Sequence, residues 1–262
     1  MGNSTDESTD QRNLHARRAA SFGGHAAEYA DHRPDYPAAA IQWALEPLGQ
    51  QRSLVVLDLG AGTGKLTEGL LAAGAEPVAV EPDAEMRGEL IARYPSVTTI
   101  AGTAESIPLP DASVDAVVAG QAFHWFDPER AFPEIARVLR DDGVFAGFWN
   151  TNDKSVEWVA GLNEVARFRA VVPPQASEAD RFPKHPLFPE FDIARFAHSQ
   201  RRTAESLTAT IGTHSHTLVI PEQERVALLG RILDYLHSRP ETAEGEFDLP
   251  MVTLTVRAVC HR

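Results

Sequence analysis

Cysteine is nearly absent from this chain: of 262 residues, Cys260 alone carries a thiol. A single cysteine excludes an internal disulfide and offers no second soft ligand for a metal, so a buried C-terminal thiol and no metal centre are expected. Long apolar runs are missing too. No stretch approaches the ~18 residues that a membrane-crossing helix requires, and the opening MGNSTDESTDQRN is polar, unlike a secretory signal. Asp6 stands where a myristoylation site needs Ser or Thr. These absences predict a cytoplasmic protein without a membrane partner. Basic residues are scarce, 24 Lys and Arg against 37 Asp and Glu, for a formal net charge of −13. Such a balance repels a polyanion unless a strong local patch intervenes, and Arg17-Arg18 and Arg201-Arg202 are short. Nucleic acid is therefore excluded as the expected partner, and a small molecule takes its place, bound by a monomer or homodimer.

What is present is an alternation of two periods. From Leu54, short β-branched runs (LVVLDL, PVAVE, VTTIA, SVDAVVAG, GVFAGFW) alternate with helical patterns over 64–73, 83–94 and within 128–140. That order specifies a parallel sheet with helices on both faces, and the near-continuous apolarity of LVVL and AVVA suits strands buried on both sides. Asp127 is read as a helix cap before Pro128, and Gly143 as the stop after RVLRDD. Pro133 is expected to kink that helix or delay its start. Beyond Trp149 the pattern loosens into an amphipathic helix, VEWVAGLNEVARFRA, and the Pro/Phe-rich RFPKHPLFPEF, read as an insertion over the sheet edge without a core of its own. A strand (IARFAHSQRRT), a helix over 221–238 and a strong last strand (MVTLTVRAV) follow. The expected organisation is a disordered tail over 1–13 and one domain over 14–262. Within it lie an N-terminal helical lid (14–50), a cofactor-binding core (54–150), a helical insertion (151–190) and C-terminal strands and helices (191–262).

The chemistry is concentrated in LDLGAGTGKLT. A phosphate-binding P-loop would need glycine where Leu59 stands and a hydroxyl where Leu66 stands, and a dinucleotide-binding turn would need glycine where Lys65 stands. The match is instead to Asp-x-Gly-x-Gly-x-Gly at Asp58, Gly60, Gly62 and Gly64, with Glu81 closing the next strand. The glycines let the backbone approach a ligand that lacks a bulky pyrophosphate, and Glu81, about 20 residues on, can accept both hydroxyls of a ribose. Asp58 either contacts the ligand or braces the glycine loop.

With YADHRPDYP upstream and EPDAEM, GTAESIPLPDASVDAVV and GQAFHWFD following in order, the chain resembles the class I S-adenosylmethionine-dependent methyltransferases, in particular the small-molecule group that includes trans-aconitate methyltransferase-like proteins. The likeness covers residues 22–150 well and the remainder loosely. It implies a doubly wound, Rossmann-like α/β fold with a seven-stranded, mostly parallel sheet and an antiparallel terminal strand. It implies S-adenosylmethionine as cofactor and S-adenosylhomocysteine as product. Tyr29 and Arg33 would lie on a segment folding over the cofactor, the guanidinium pairing with its carboxylate. Asp58, Gly60, Ala61, Gly62 and Gly64, then Glu81, Pro82 and Met86, would follow along it. Thr103, Ala104 and Glu105 would face the adenine, unless Glu105 caps a helix, and Gln121, Ala122 and Phe123 would approach the methyl.

His124 is the candidate general base, or else a residue at the strand end that only packs. Tyr36, Trp125, Trp149, His214 and His216 form the candidate acceptor side, the last two at a pocket rim. The expected activity is methyl transfer to a small molecule at O, N or C. A methyltransferase of RNA or protein and a catalytically silent cofactor-binding protein are the alternatives.

Overall fold

The computed structural model describes residues 34–49, 53–166, 185–213, 217 and 220–260. The expected tail, Tyr29, Arg33, His214 and His216 lie outside them, as does the lid before Pro34. Among the described residues the elements run α1 (Ala38–Leu45), β1 (Val55–Leu59), α2 (Lys65–Ala72), β2 (Glu76–Val80), α3 (Ala84–Arg93), β3 (Thr98–Ile100) and β4 (Val114–Gly120). They continue with α4 (Pro128–Val138), β5 (Leu139–Asn152), α5 (Glu157–Ala166), β6 (Asp192–Arg202), α6 (Ala204–Gly212), α7 (Glu222–His237) and β7 (Phe247–Val259).

The strands form one seven-stranded sheet in the order β3-β2-β1-β4-β5-β7-β6. Pairing is parallel from β3 to β5, and β7 runs antiparallel to both of its neighbours. Side chains of the central strands alternate between two apolar clusters, as the period of two requires. Leu57, Leu59, Val117, Ala119, Phe145 and Trp149 enter one, with Phe132 and Ile135 of α4 and Phe188. Val56, Ala116, Val118, Val144, Ala146 and Phe148 enter the other, with Ile41 of α1 and Leu66 and Leu70 of α2. Each Val, Leu, Ile or Phe among them, fully buried, contributes roughly 1.5–3 kcal/mol. Cys260 is buried, as expected. None of the described helices is long and apolar enough to cross a membrane.

Three features differ from the sequence expectations. First, α1 falls within the segment expected as a lid, yet its Ala40, Ile41, Ala44 and Leu45 are buried against the sheet. Second, α4 starts at Pro128 behind the Asp127 cap, which accepts from Glu129 N at 3.2 Å, and runs through Pro133 without a delayed start. Pro133 is exposed, so the carbonyl its ring leaves without a donor can be hydrated. The helix ends at Val138, and Gly143, expected as its stop, lies within β5. Asp142 takes the left-handed turn position at φ 59°, whereas a Cβ on Gly143 would stand 2.8 Å from the Arg140 carbonyl. Third, α5 of the expected insertion is not a bare cover. Trp158, Val159 and Leu162 join residues of α6, α7 and the first half of β7 in an apolar cluster of their own. The partners of α5 come later in the chain, so its local pattern could not show them.

Candidate active site

The loop after β1 is shaped by three left-handed glycines, Gly60 (φ 71°), Gly62 (φ 58°) and Gly64 (φ 92°). A Cβ on Gly60 would stand 2.7 Å from Ala122 Cβ, and one on Gly64 would stand 2.9 Å from the Tyr94 ring. A Cβ on Gly62 would meet little besides Met86 Sδ at 3.8 Å, because Gly62 borders a cavity of about 500 Å³. Glu81 holds this loop open: one carboxylate oxygen accepts from Gly62 N at 2.8 Å and the other from Asp83 N at 2.9 Å. Asp83 in turn caps α3 by accepting from Glu85 N and Met86 N. Asp58 accepts from Thr67 Oγ1 at 2.6 Å and is 1% exposed.

Burial raises both carboxyls, Asp58 to about 7 with a smaller push from Glu81, and Glu81 against the hydrogen bonds from Asp83 and Gly62. Since burial is what chiefly raises them, a cation that enters the cavity and pairs with these carboxyls stabilises their charged forms. Asp58 Oδ1 and Thr63 Oγ1 are buried without a hydrogen-bond partner among the described residues, although both residues belong to the cavity lining.

The opposite wall comes from the loops after β3 and β4. Gly102, Thr103, Ala104 and Glu105 line it. Their loop is clamped from α4: Glu134 accepts from Ile107 N at 2.9 Å, and Arg137 donates to the carbonyls of Ile107 and Leu109, both at 2.8 Å. Glu105 accepts at 2.9 Å from the backbone N of Asp127, the residue just before α4, and stays on the lining. After β4, Gln121 takes a left-handed φ of 55°, a strained choice for a side-chain-bearing residue, and its Nε2 donates to the Asn150 carbonyl at 2.9 Å.

A second cavity, of about 780 Å³, adjoins the first. Pro34, Gln121, His124, Phe126 and Asn150 line both. Asn150 is the hub of that shared wall. Its Nδ2 donates to the carbonyls of Pro34 (3.3 Å) and Asp35 (3.1 Å), and its Oδ1 accepts from Thr253 Oγ1. Because Thr253 spends its single proton there, His198 Nε2, 3.0 Å away, is the donor to Thr253 Oγ1, and burial lowers the His198 pKa toward the neutral ring. Asp35 also pairs with Lys65 of the first cavity at 2.7 Å.

The structure brings most sequence-derived candidates together and redistributes some. Asp58, Gly60, Ala61, Gly62, Glu81, Pro82, Met86, Thr103, Ala104, Glu105, Gln121 and Ala122 line the first cavity. Gly64 does not; it is the residue before α2. Phe123, expected beside the cofactor, is 4% exposed in the main core, with ring contacts to Phe126, Phe132, Phe145 and Trp149, and borders the second cavity alone. Tyr36 and Trp125, expected on the acceptor side, line the first cavity, while Trp149 lines the second. Tyr36 stacks edge-on against Phe148, its hydroxyl 2.7 Å from where a Cβ of Gly120 would stand. His124 is exposed on the 3-10 turn Phe123–Trp125, which does not suit a residue that only packs. Sequence reasoning missed Thr63, Asn150 and Arg202. The polar run Asn150-Thr151-Asn152 at the carboxyl end of β5 was a usable signal, since open α/β sheets bind ligands there; Arg202 was visible only as half of the short Arg201-Arg202 pair, which does not point to a cavity.

Comparison with known proteins agrees with this geometry. Residues 57–147 match the methyltransferase domain family. An uncharacterized methyltransferase of Mycobacterium tuberculosis is 39% identical over 246 residues, which cover 91% of this chain and 95% of that protein. An uncharacterized methyltransferase-like protein of Schizosaccharomyces pombe is 35% identical over 209 residues, 78% of this chain and 81% of the relative. A solved structure from Anaeromyxobacter dehalogenans, described as a candidate type II methyltransferase, superposes with a TM-score of 0.61 at 28% identity, covering 87% of this chain and 96% of that one. The glycine loop, the strand order and these relatives agree: the chain belongs to the class I S-adenosylmethionine-dependent methyltransferases.

Proposed function

We propose that the protein transfers a methyl group from S-adenosylmethionine in the first cavity to a small molecule in the second. The observation that carries this reading is that the two cavities share a wall made of Gln121, His124 and Asn150. When bound, the cofactor supplies a methyl on a sulfonium, already an excellent leaving group, so the protein's task is alignment and exclusion of water. Glu81 is positioned to accept from ribose hydroxyls while its backbone partners hold it still. Asp58 and Glu81 favour the cationic ligand over its neutral product, and the Trp125 ring on the same lining is available for cation–π contact. His124 takes the proton when the acceptor atom has one to lose, and only positions the acceptor when it does not.

The net charge of −13 argues against an RNA substrate. The experiment is incubation of the protein with S-adenosylmethionine and fractionated metabolite extracts, reading S-adenosylhomocysteine. Release that depends on a low-molecular-weight fraction supports the reading. Release only with RNA or protein fractions, or cofactor binding with no release from any fraction, would replace it with one of the two alternatives.

A further inference from the structure

The second cavity has a composition at odds with the rest of the chain. Acidic residues outnumber basic ones 37 to 24 overall, yet no Asp or Glu occurs among the described residues lining it. Lys154 and Arg202 line it instead, beside the side-chain amides of Asn152, Asn163 and Gln200, and neither cation borders the first cavity. Arg202, the last residue of β6, is 7% exposed. Burial disfavours its charged form, and the Asp35 carboxylate counters this. A buried guanidinium on a lining to which the described residues contribute no acid gains from an anion that enters beside it.

The remaining wall is large and apolar: Trp149, Leu207, Ile211, Leu249 and Met251. A compact, wholly polar polyanion would leave that surface unmatched, whereas burying a hydrocarbon body on it gains about 25 cal/mol per Å². An organic cation would meet Lys154 and Arg202 with no carboxylate among the described lining residues to offset them.

We propose that the second cavity binds an amphiphilic organic anion. Its charged group is held by Arg202 and Lys154, and its apolar body lies along Trp149 and Met251 with the acceptor atom at the His124 end. This rests on the methyltransferase reading and names the substrate class of the same site. The anchoring charge and the methylated atom are then different parts of the acceptor.

The test is calorimetric titration of the full chain, saturated with S-adenosylhomocysteine, with 4-phenylbutyrate, its primary amide and 4-phenylbutylamine. The carboxylate is expected to bind at least ~10-fold more tightly than the other two, and Lys154→Gln and Arg202→Gln are each expected to remove most of that preference. Binding of the amide and of S-adenosylhomocysteine should stay unchanged. Lys154 is exposed, so its variant carries the test even if the buried Arg202→Gln fails to fold. Amide or amine binding as tight as the carboxylate, a preference that survives the Lys154 substitution, or no binding of 4-phenylbutyrate at millimolar concentration would overturn the proposal. Failure of S-adenosylhomocysteine to bind the wild-type protein would instead strike the methyltransferase reading itself.

Discussion

Glu81 has two tasks, bracing Gly62 and Asp83 and facing the first cavity, and loss of its carboxylate removes both. Glu81→Ala removes a charged acceptor whose hydrogen bonds contribute about 1.5–3 kcal/mol each, so S-adenosylmethionine affinity should fall ten-fold or more. Calorimetry showing wild-type affinity would remove Glu81 from the cofactor site. Asp58 makes a pH prediction. Its folded pKa lies at about 7 against 3.8 for the unperturbed group, so between those values the unfolded chain has released a proton that the folded chain still holds. Stability from this group therefore declines as pH rises from about 4 to 7 and levels off above. Asp58→Asn should flatten that decline in thermal melts between pH 5 and 8; an unchanged slope would assign it to other groups. His124 is exposed, so His124→Ala should leave the melting temperature nearly unchanged. If the acceptor loses a proton, the same variant should lower kcat about 100-fold, and if it does not, the change should appear in KM. Wild-type values of both would show that His124 has no role in catalysis.

At the scale of elements, the site depends on ties between pieces far apart in the chain. Asn150 of β5 is bonded to the segment before α1 and to Thr253 of β7, which is bonded to His198 of β6. Breaking one link leaves buried polar atoms unsatisfied, so Asn150→Ala and Thr253→Val should each cost about 1–3 kcal/mol. Because they share one bond, the double variant should be less destabilised than the sum. Denaturant melts of the four proteins measure this coupling, and strict additivity would show that the link carries no energy.

For the molecule as a whole, the relevant question is which ligand shifts the folding equilibrium. A ligand that binds only the folded state, present at 100 times its Kd, adds about 2.7 kcal/mol. S-adenosylhomocysteine should raise the melting temperature accordingly. ATP and NAD should not, because Leu66 and Lys65 stand where their binding loops need a hydroxyl and a glycine. A comparable shift with ATP or NAD would contradict the cofactor assignment.

The amino-acid sequence alone determined the sheet, the glycine loop and most residues that line the first cavity. Strand faces repeat every two residues, left-handed turns need glycine at Gly60, Gly62 and Gly64, and Glu81 follows Gly62 by one helix and one strand, so each of these signals is local. Only the tertiary structure decided that Phe123 is core and that Tyr36 and Trp125 face the first cavity, because an aromatic residue has the same local signature buried or lining a site. It also decided the second cavity altogether. Asn150, Arg202, Leu207 and Met251 come from β5, β6, α6 and β7, and they meet because β7 runs antiparallel between β5 and β6, a register set by long-range pairing that no short window of residues records.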